Sequence, residues 1–208
     1  MRKRRLYFPY VLSLILSIFL ISQGIKLKSK ISIIIRSNEN FLILENHINN
    51  IKNNQGIQYQ SEGVLINNNI PLITVNYDTI LFKDIINEKP KIILYFSEAS
   101  CSKCFEEELD NLNNISKQIG NDNIAVLASF DKIQYLAKLI RLKQIKFPIY
   151  CLNHARIGLP IENNKIPFLF VTNSNYMSSD IFIPYTDMPS LADQYYEIMI
   201  HKYFNNNY

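Results

Sequence analysis

The chain has 208 residues, of which 48% are hydrophobic and 19% charged, a composition that suits one domain with appendages and excludes a disordered chain. The formal net charge is +4, but basic residues are concentrated at positions 2–5 and 26–30. This distribution indicates a membrane as a partner and gives no indication of nucleic-acid binding. Three cysteines are too few for a disulfide-stabilised scaffold.

A basic block followed by an apolar run opens the sequence. Residues 2–5 are all Arg or Lys, and residues 6–22 contain no charged side chain. This pattern is typical of a signal anchor or of a cleaved signal peptide. Because no small-residue cleavage site follows, we expect an uncleaved transmembrane anchor over residues 1–25. Basic residues favour the cytoplasmic side, so we expect a single-pass protein of the cell membrane whose C-terminal domain is extracytoplasmic (periplasmic).

The segment after the predicted anchor mixes apolar patches with Asn-rich stretches. We expect residues 26–61 to form a linker that contains one amphipathic helix. The Asn and Gly residues around positions 49–56 are typical of a boundary, so the globular domain is predicted to span residues 62–208.

Strand and helix patterns alternate from this boundary onwards. Apolar runs on either side of residues 76–78 predict a β-hairpin. The continuous apolar run at residues 91–96 predicts a strand that is buried on both faces of a sheet. Apolar residues at helical spacing after Cys104 predict a helix that ends at Gly120.

The second half of the domain continues this alternation. Its predicted elements are a buried strand at 124–128, an amphipathic helix at 133–140, a short strand at 147–151, a hairpin of strands 168–171 and 181–183, and a helix at 191–199. Together the elements predict an α/β fold, with a mixed central β-sheet flanked by helices.

The Cys101-Ser-Lys-Cys104 motif stands where the buried strand leads into the first helix of the domain. The first cysteine would occupy the helix N-terminus, where free N–H groups and the helix dipole stabilise a thiolate. Cys104 would lie one turn further on the same face, so it could attack a mixed disulfide on Cys101 and release the partner. The acidic run Glu106–Glu108 falls in the first helical turns, where it favours the dipole.

A second candidate element is the Ile166-Pro167 pair, which directly precedes the predicted strand 168–171. The residue before a proline avoids helical conformation. A cis proline here would leave the neighbouring backbone free to pair with an incoming peptide. The alternative is a trans proline that only starts an edge strand.

Taken together, the strand at 91–97, the Cys-Ser-Lys-Cys motif and Ile166-Pro-Phe-Leu-Phe170 resemble the thioredoxin superfamily. Pro71 and the hairpin that follows it resemble the redoxin or TlpA/ResA-like branch of that superfamily. The resemblance covers residues 62–204 and implies a thioredoxin-like fold. It also implies an anchored or secreted thiol–disulfide oxidoreductase that reduces disulfides in exported proteins.

The same resemblance assigns roles to three residues. Cys101 corresponds to the nucleophile, Cys104 to the resolving thiol and Pro167 to the cis proline. The implied partners are protein disulfides and a membrane or periplasmic electron donor, and no cofactor or metal is implied.

Several positions depart from the pattern of this superfamily. Many members carry Trp directly before the first cysteine, whereas this chain has Ser100 there and no Trp anywhere. Thioredoxins often carry a buried Asp six residues before that cysteine, where Tyr95 stands here. Glu98 is then the remaining candidate for proton transfer. Glu98 also stands where peroxiredoxins carry Thr, and an apolar strand residue replaces their Pro, so we expect no peroxidase activity.

Two other classes of function remain open at this point. The domain could be a non-catalytic binding or assembly module on the membrane in which the two cysteines form a static pair. It could also be a carrier of copper or another soft metal that uses the two thiolates. Cys151 lies in an apolar strand and is expected to be an inert buried thiol, with a resolving or intermolecular role as the alternative. Cys151 and His154 together are too few ligands for a structural zinc site.

Overall fold

A computed structural model describes residues 4–205, and it divides into two compact units, Met1–Asn53 and Asn54–Tyr208. The α-helices are α1 (Arg4–Ser61), α2 (Phe82–Ile85), α3 (Ser102–Ile119), α4 (Ile133–Lys143) and α5 (Pro189–Met199). The strands are β1 (Pro71–Ile73), β2 (Thr79–Leu81), β3 (Lys91–Ser97), β4 (Ile124–Ser129), β5 (Ile149–Cys151), β6 (Phe168–Thr172) and β7 (Ser179–Phe182).

The N-terminal region differs from its prediction in one respect. Residues 26–61 are helical throughout as part of α1, where the sequence predicts a linker with a single amphipathic helix. The predicted anchor, residues 1–25, begins outside the described residues. Within residues 4–205, no helix is long and apolar enough to cross a membrane. The transmembrane helix is therefore not shown and stays a prediction.

The seven strands found within residues 4–205 belong to one mixed sheet, in the order β2-β1-β5-β4-β3-β6-β7. The central strand β3 pairs in parallel with β4 and antiparallel with β6. Strand β1 pairs antiparallel with both β2 and β5. The prediction of an α/β fold with a mixed central sheet is confirmed, and so are the hairpins β1–β2 and β6–β7.

Both faces of the sheet are covered by apolar side chains, because β3 and β4 alternate their side chains between the two faces. Ile92, Leu94 and Phe96 of β3 face a core that also contains buried side chains of α3, α4 and α5. Ile93 and Tyr95 face a second core, which is completed by residues around the β1–β2 hairpin and by the segment before β6. Burial on both faces explains why β3 reads as one continuous apolar run.

The helix that carries the cysteine motif begins and ends where the sequence predicts. Phe105, Leu109 and Leu112 recur at helical spacing and are all buried. The helix ends at Gly120, whose φ of 91° is strained for any residue with a Cβ atom. These apolar residues fix α3 against the sheet, and thereby fix the position of its first turn.

Candidate redox site

The two cysteines of the motif lie at the start of α3 and are joined by a disulfide, with their Cα atoms 5.3 Å apart. Cys101 is the N-cap residue of α3, and its sulfur accepts a hydrogen bond from the backbone N–H of Cys104 at 3.3 Å. Cys101 is exposed and Cys104 is half-buried. The structure thus places both sulfurs as the sequence predicts, with the nucleophile candidate outermost.

The local geometry favours negative charge on the Cys101 sulfur when the pair is reduced. The first N–H groups of a helix lack partners within the helix, and the helix dipole is positive at this end. Cys101 already accepts one of these N–H groups, in the way that hydroxyl and carboxylate side chains cap helices. Such an environment is typical of reactive cysteines.

Ser100 anchors the turn between β3 and α3, a role that the sequence analysis missed. Its buried hydroxyl donates to the carbonyl of Lys165 at 3.0 Å and accepts from the backbone N–H of Ser97 at 3.0 Å. The Ser97 hydroxyl lies 3.1 Å from it. In the sequence, only the presence of two serines three residues apart in a short turn suggests a structural role for Ser100. The contact with Lys165 cannot be predicted from the sequence, because Lys165 is distant along the chain.

Changing Ser100 to Ala should destabilise this turn. Both the N–H of Ser97 and the carbonyl of Lys165 would lose a partner, so we expect the free energy of unfolding to fall by about 2 kcal/mol. Urea denaturation measures this loss, and the exposed neighbour Ser102→Ala serves as the matched control. A Ser100→Ala protein as stable as the control would contradict this role for the hydroxyl.

Pro167 lies at the same end of the sheet as the cysteines. Strand β6 runs antiparallel to β3, and the register pairs Tyr95, near the end of β3, with Phe168, at the start of β6. Pro167 is buried directly before this pair. Through the Ser100–Lys165 hydrogen bond, the turn before Cys101 is tied to the segment that leads into Pro167.

The cis conformation expected for Pro167 is wrong, because no peptide bond within residues 4–205 is cis. Lys165, two residues before Pro167, adopts the left-handed conformation with φ of 55° after the 3₁₀-helix Pro160–Asn164. The bond before Pro167 is trans, the form that X–Pro bonds ordinarily prefer.

Within the described residues, neither Tyr95 nor Glu98 makes a hydrogen bond with a cysteine of the motif. Burial, together with the charge of Glu162, raises the pKa of Tyr95 to about 12, so its phenol stays protonated at neutral pH. Glu98 is exposed and lines a cavity of about 380 Å³ whose lining includes neither cysteine of the motif. Glu162 also lines this cavity, but its oxygens accept the N–H groups of Ile157 and Gly158 at 3.1 and 2.8 Å.

Other candidate residues take no part in the site. Lys103 is exposed and pairs with Glu107 at 3.7 Å, which is a weak surface interaction. Cys151 is a buried free cysteine, as expected, and its thiol donates to the carbonyl of Phe130 at 3.0 Å. His154 is exposed beside Asp131, at 3.4 Å.

Solved structures share this arrangement of sheet and helices. One is peroxidoxin BcpB from Mycobacterium tuberculosis, at 13% identity and a TM-score of 0.52, with 68% of this chain and 97% of that chain covered. Another is a mutant of PrxQ from Xylella fastidiosa, at 12% identity and a TM-score of 0.52, with 68% and 96% covered. The chain has a thioredoxin-like fold. No protein-family model and no curated protein matches the sequence.

The thioredoxin-like fold does not by itself carry the chemistry of these two structures to this chain. At such low identity the likeness concerns the backbone, and function depends on the site. Here the residue three positions before Cys101 is the exposed carboxylate Glu98, and seven positions before it stands Leu94, which is fully buried in β3. Peroxiredoxins carry Thr and Pro at these positions, so peroxidase activity is still not expected.

In the described residues, the fold brings no further group of metal-binding side chains together that would support the metal-carrier alternative. Among residues 4–205, no group of three or more His, Cys, Asp or Glu side chains is placed to hold a metal ion. Cys101 and Cys104 would therefore have to supply the whole set of protein ligands.

Proposed function

We propose that this chain is a thiol–disulfide oxidoreductase that reduces disulfides in exported partner proteins, with Cys101 as nucleophile and Cys104 as resolving thiol. The observation that carries the proposal is the position of this pair, one exposed sulfur at the N-terminus of α3 and a second one turn behind it. A static structural disulfide needs neither the exposure nor the helix N-terminus.

The geometry supports a two-step exchange. The Cys101 thiolate attacks one sulfur of the partner's disulfide, which forms a mixed disulfide and releases the other partner sulfur as a thiolate. The Cys104 thiolate then attacks the Cys101 sulfur and releases the partner's second thiol. Two electrons pass to the partner, and the Cys101–Cys104 disulfide is left for a membrane or periplasmic electron donor to reduce.

A redox titration of the full chain tests the function and its direction. We expect the Cys101–Cys104 couple to have a reduction potential below about −250 mV, as for a reductant, whereas about −120 mV would indicate an oxidant. Equilibration in dithiol buffers, followed by thiol alkylation and mass measurement, gives this value, with Cys151→Ser as the control. A pair that does not exchange with these buffers would contradict the proposal and favour the non-catalytic binding module.

We also propose that residues 1–25 anchor the protein in the cell membrane, with the thioredoxin-like domain on the extracytoplasmic side. The support is the basic block at residues 2–5 and the uncharged apolar run at residues 6–22. Sedimentation of the full chain with membranes after alkaline carbonate washing would support the anchor. Recovery of the full chain in the soluble fraction would contradict it.

A further inference from the structure

A buried carboxyl group lies close to Cys104 on the same helix. Glu108 follows Cys104 by four residues in α3, and residues at this spacing lie one above the other on one helix face. Glu108 is only 3% exposed, although the sequence indicates a solvent-facing acidic run. A carboxyl group so deeply buried requires a compensating interaction or a proton.

The two side chains that donate hydrogen bonds to the Glu108 carboxyl group are uncharged. The hydroxyl of Tyr196 in α5 donates to one carboxyl oxygen, and the side-chain amide of Asn111 donates to the other at 3.4 Å. Within residues 4–205, the titratable groups facing Glu108 from α3, α5 and the loop before α5 are the Cys104 thiol and a set of acidic or phenolic groups, namely Glu107, Asp110, Tyr185, Asp193, Tyr195 and Tyr196. The ammonium group of Lys143, on α4, pairs with Asp110 at 2.7 Å.

This environment raises the pKa of Glu108 above that of an exposed glutamate. Burial raises the pKa of Glu108, and the charges of Glu107 and Asp193 raise it further, against the hydrogen bonds from Tyr196 and Asn111. Burial also holds the pKa of Tyr196 well above its ordinary value, so Tyr196 remains a donor. Glu108 therefore changes charge closer to neutral pH than an exposed glutamate, as suits a group that exchanges protons near neutral pH.

A cavity connects this carboxyl group with the resolving cysteine. Cys104 and Glu108 both line a cavity of about 210 Å³, together with Glu107 and Asp110, and residues between Pro184 and Ala192 form its opposite wall. A water molecule occupies about 30 Å³ in the liquid, so the cavity has room for several. Its polar lining offers them the hydrogen-bond partners that such waters need.

We propose that Glu108 accepts the proton of the Cys104 thiol, through water in this cavity, when Cys104 resolves the mixed disulfide. This inference rests on the proposed function and adds the proton's route to it. As the S–H bond of Cys104 breaks, the proton passes to a Glu108 carboxylate oxygen. The Cys104 sulfur bonds to that of Cys101, and the partner leaves as a thiolate. Glu108 then returns its proton to that thiolate or to solvent.

The two steps can be measured separately with the aromatic disulfide 5,5′-dithiobis(2-nitrobenzoate). Mixed with one equivalent of this probe, the reduced full chain releases a first coloured thiolate when Cys101 attacks, and a second when Cys104 displaces the group left on Cys101. Stopped-flow absorbance across pH 5–9 gives both rates. The variants are Glu108→Gln and, as a matched control on the same helix, Glu106→Gln, whose half-buried side chain has its carboxylate 3.7 Å from Lys143.

In the wild type and in Glu106→Gln, the rate of the second release should rise with pH as Glu108 ionises and then level off. In Glu108→Gln it should be about 100-fold slower near pH 6–7, the usual size of a general-base effect, and should approach the wild-type rate only near pH 9. The first release should be the same in all three proteins. The rate falls at low pH because protonation of Glu108 removes the base. Because the pKa of Glu108 is raised, this loss begins at a higher pH than it would for an exposed glutamate.

Tyr196→Phe provides an independent test, even if Glu108→Gln fails to fold. It removes a hydrogen bond that lowers the pKa of Glu108, so the midpoint of the second release should move to higher pH. Identical profiles in the wild type, Glu108→Gln and Glu106→Gln would overturn the inference and leave the proposed function intact, as would an unchanged midpoint in Tyr196→Phe. Absence of the first release in the wild type would overturn both.

Discussion

Replacement of Cys101 by serine is expected to abolish the reduction of insulin disulfides, with turnover falling at least about 1,000-fold. The reason is that thiol–disulfide exchange needs a thiolate that can reach the partner's sulfur. Cys101 is the exposed sulfur at the helix N-terminus, Cys104 is half-buried behind it, and Cys151 is buried in the core. Insulin precipitation in the presence of dithiothreitol measures the loss.

The Cys151→Ser protein is the control for this experiment. Because its thiol is 2% exposed and donates to the Phe130 carbonyl, its replacement should leave turnover unchanged. If the Cys101→Ser protein turned over insulin as fast as this control, Cys101 would not be the nucleophile.

Replacement of Phe96 by alanine should cause the largest loss of stability, about 3–5 kcal/mol in the free energy of unfolding. Phe96 is fully buried at the end of β3. Its ring stacks on Phe105 of α3 with centroids 4.2 Å apart, and it meets Phe130 edge-on at 5.7 Å. Truncation leaves a cavity at this junction and removes both ring contacts.

Urea denaturation followed by circular dichroism measures this loss. Leu142→Ala is the matched control, because Leu142 is 69% exposed on α4 and its truncation should change the free energy by less than about 0.5 kcal/mol. A loss below about 1 kcal/mol for Phe96→Ala would show that this aromatic junction does not hold β3 and α3 together. Because α3 begins only a few residues after Phe96, a large loss in the free energy of unfolding would show that the packing around Phe96 stabilises the region that carries the cysteines.

The parts of the fold that could be predicted depend on local patterns. The apolar run of β3, the helical spacing of α3 and the stop at Gly120 each follow from neighbouring residues, and the structure confirms all three. The position of Cys101 follows from them, since it stands between the strand and the helix. The apolar runs of β4 and β6, the two strands that pair with β3, predict their positions in the same way.

The features that could not be predicted depend on contacts between distant residues. Ser100 acquires its role from Lys165, which lies 65 positions away. Glu108 reads as one member of an exposed acidic run, and only the packing of α5 against α3 buries it beside Tyr196. Local propensity carries no information about such contacts.

The most direct test of the redox mechanism is the trapping of mixed disulfides by a Cys104→Ser protein. Without the resolving thiol, a partner attacked by Cys101 should remain covalently bound, and peptide mass spectrometry after incubation with intact, disulfide-bonded insulin should place every linkage on Cys101. The linkage should disappear in the Cys101→Ser, Cys104→Ser double variant. Failure of the Cys104→Ser protein to accumulate any mixed disulfide, or linkage through Cys151 instead, would contradict the assignment of Cys101 as the attacking sulfur.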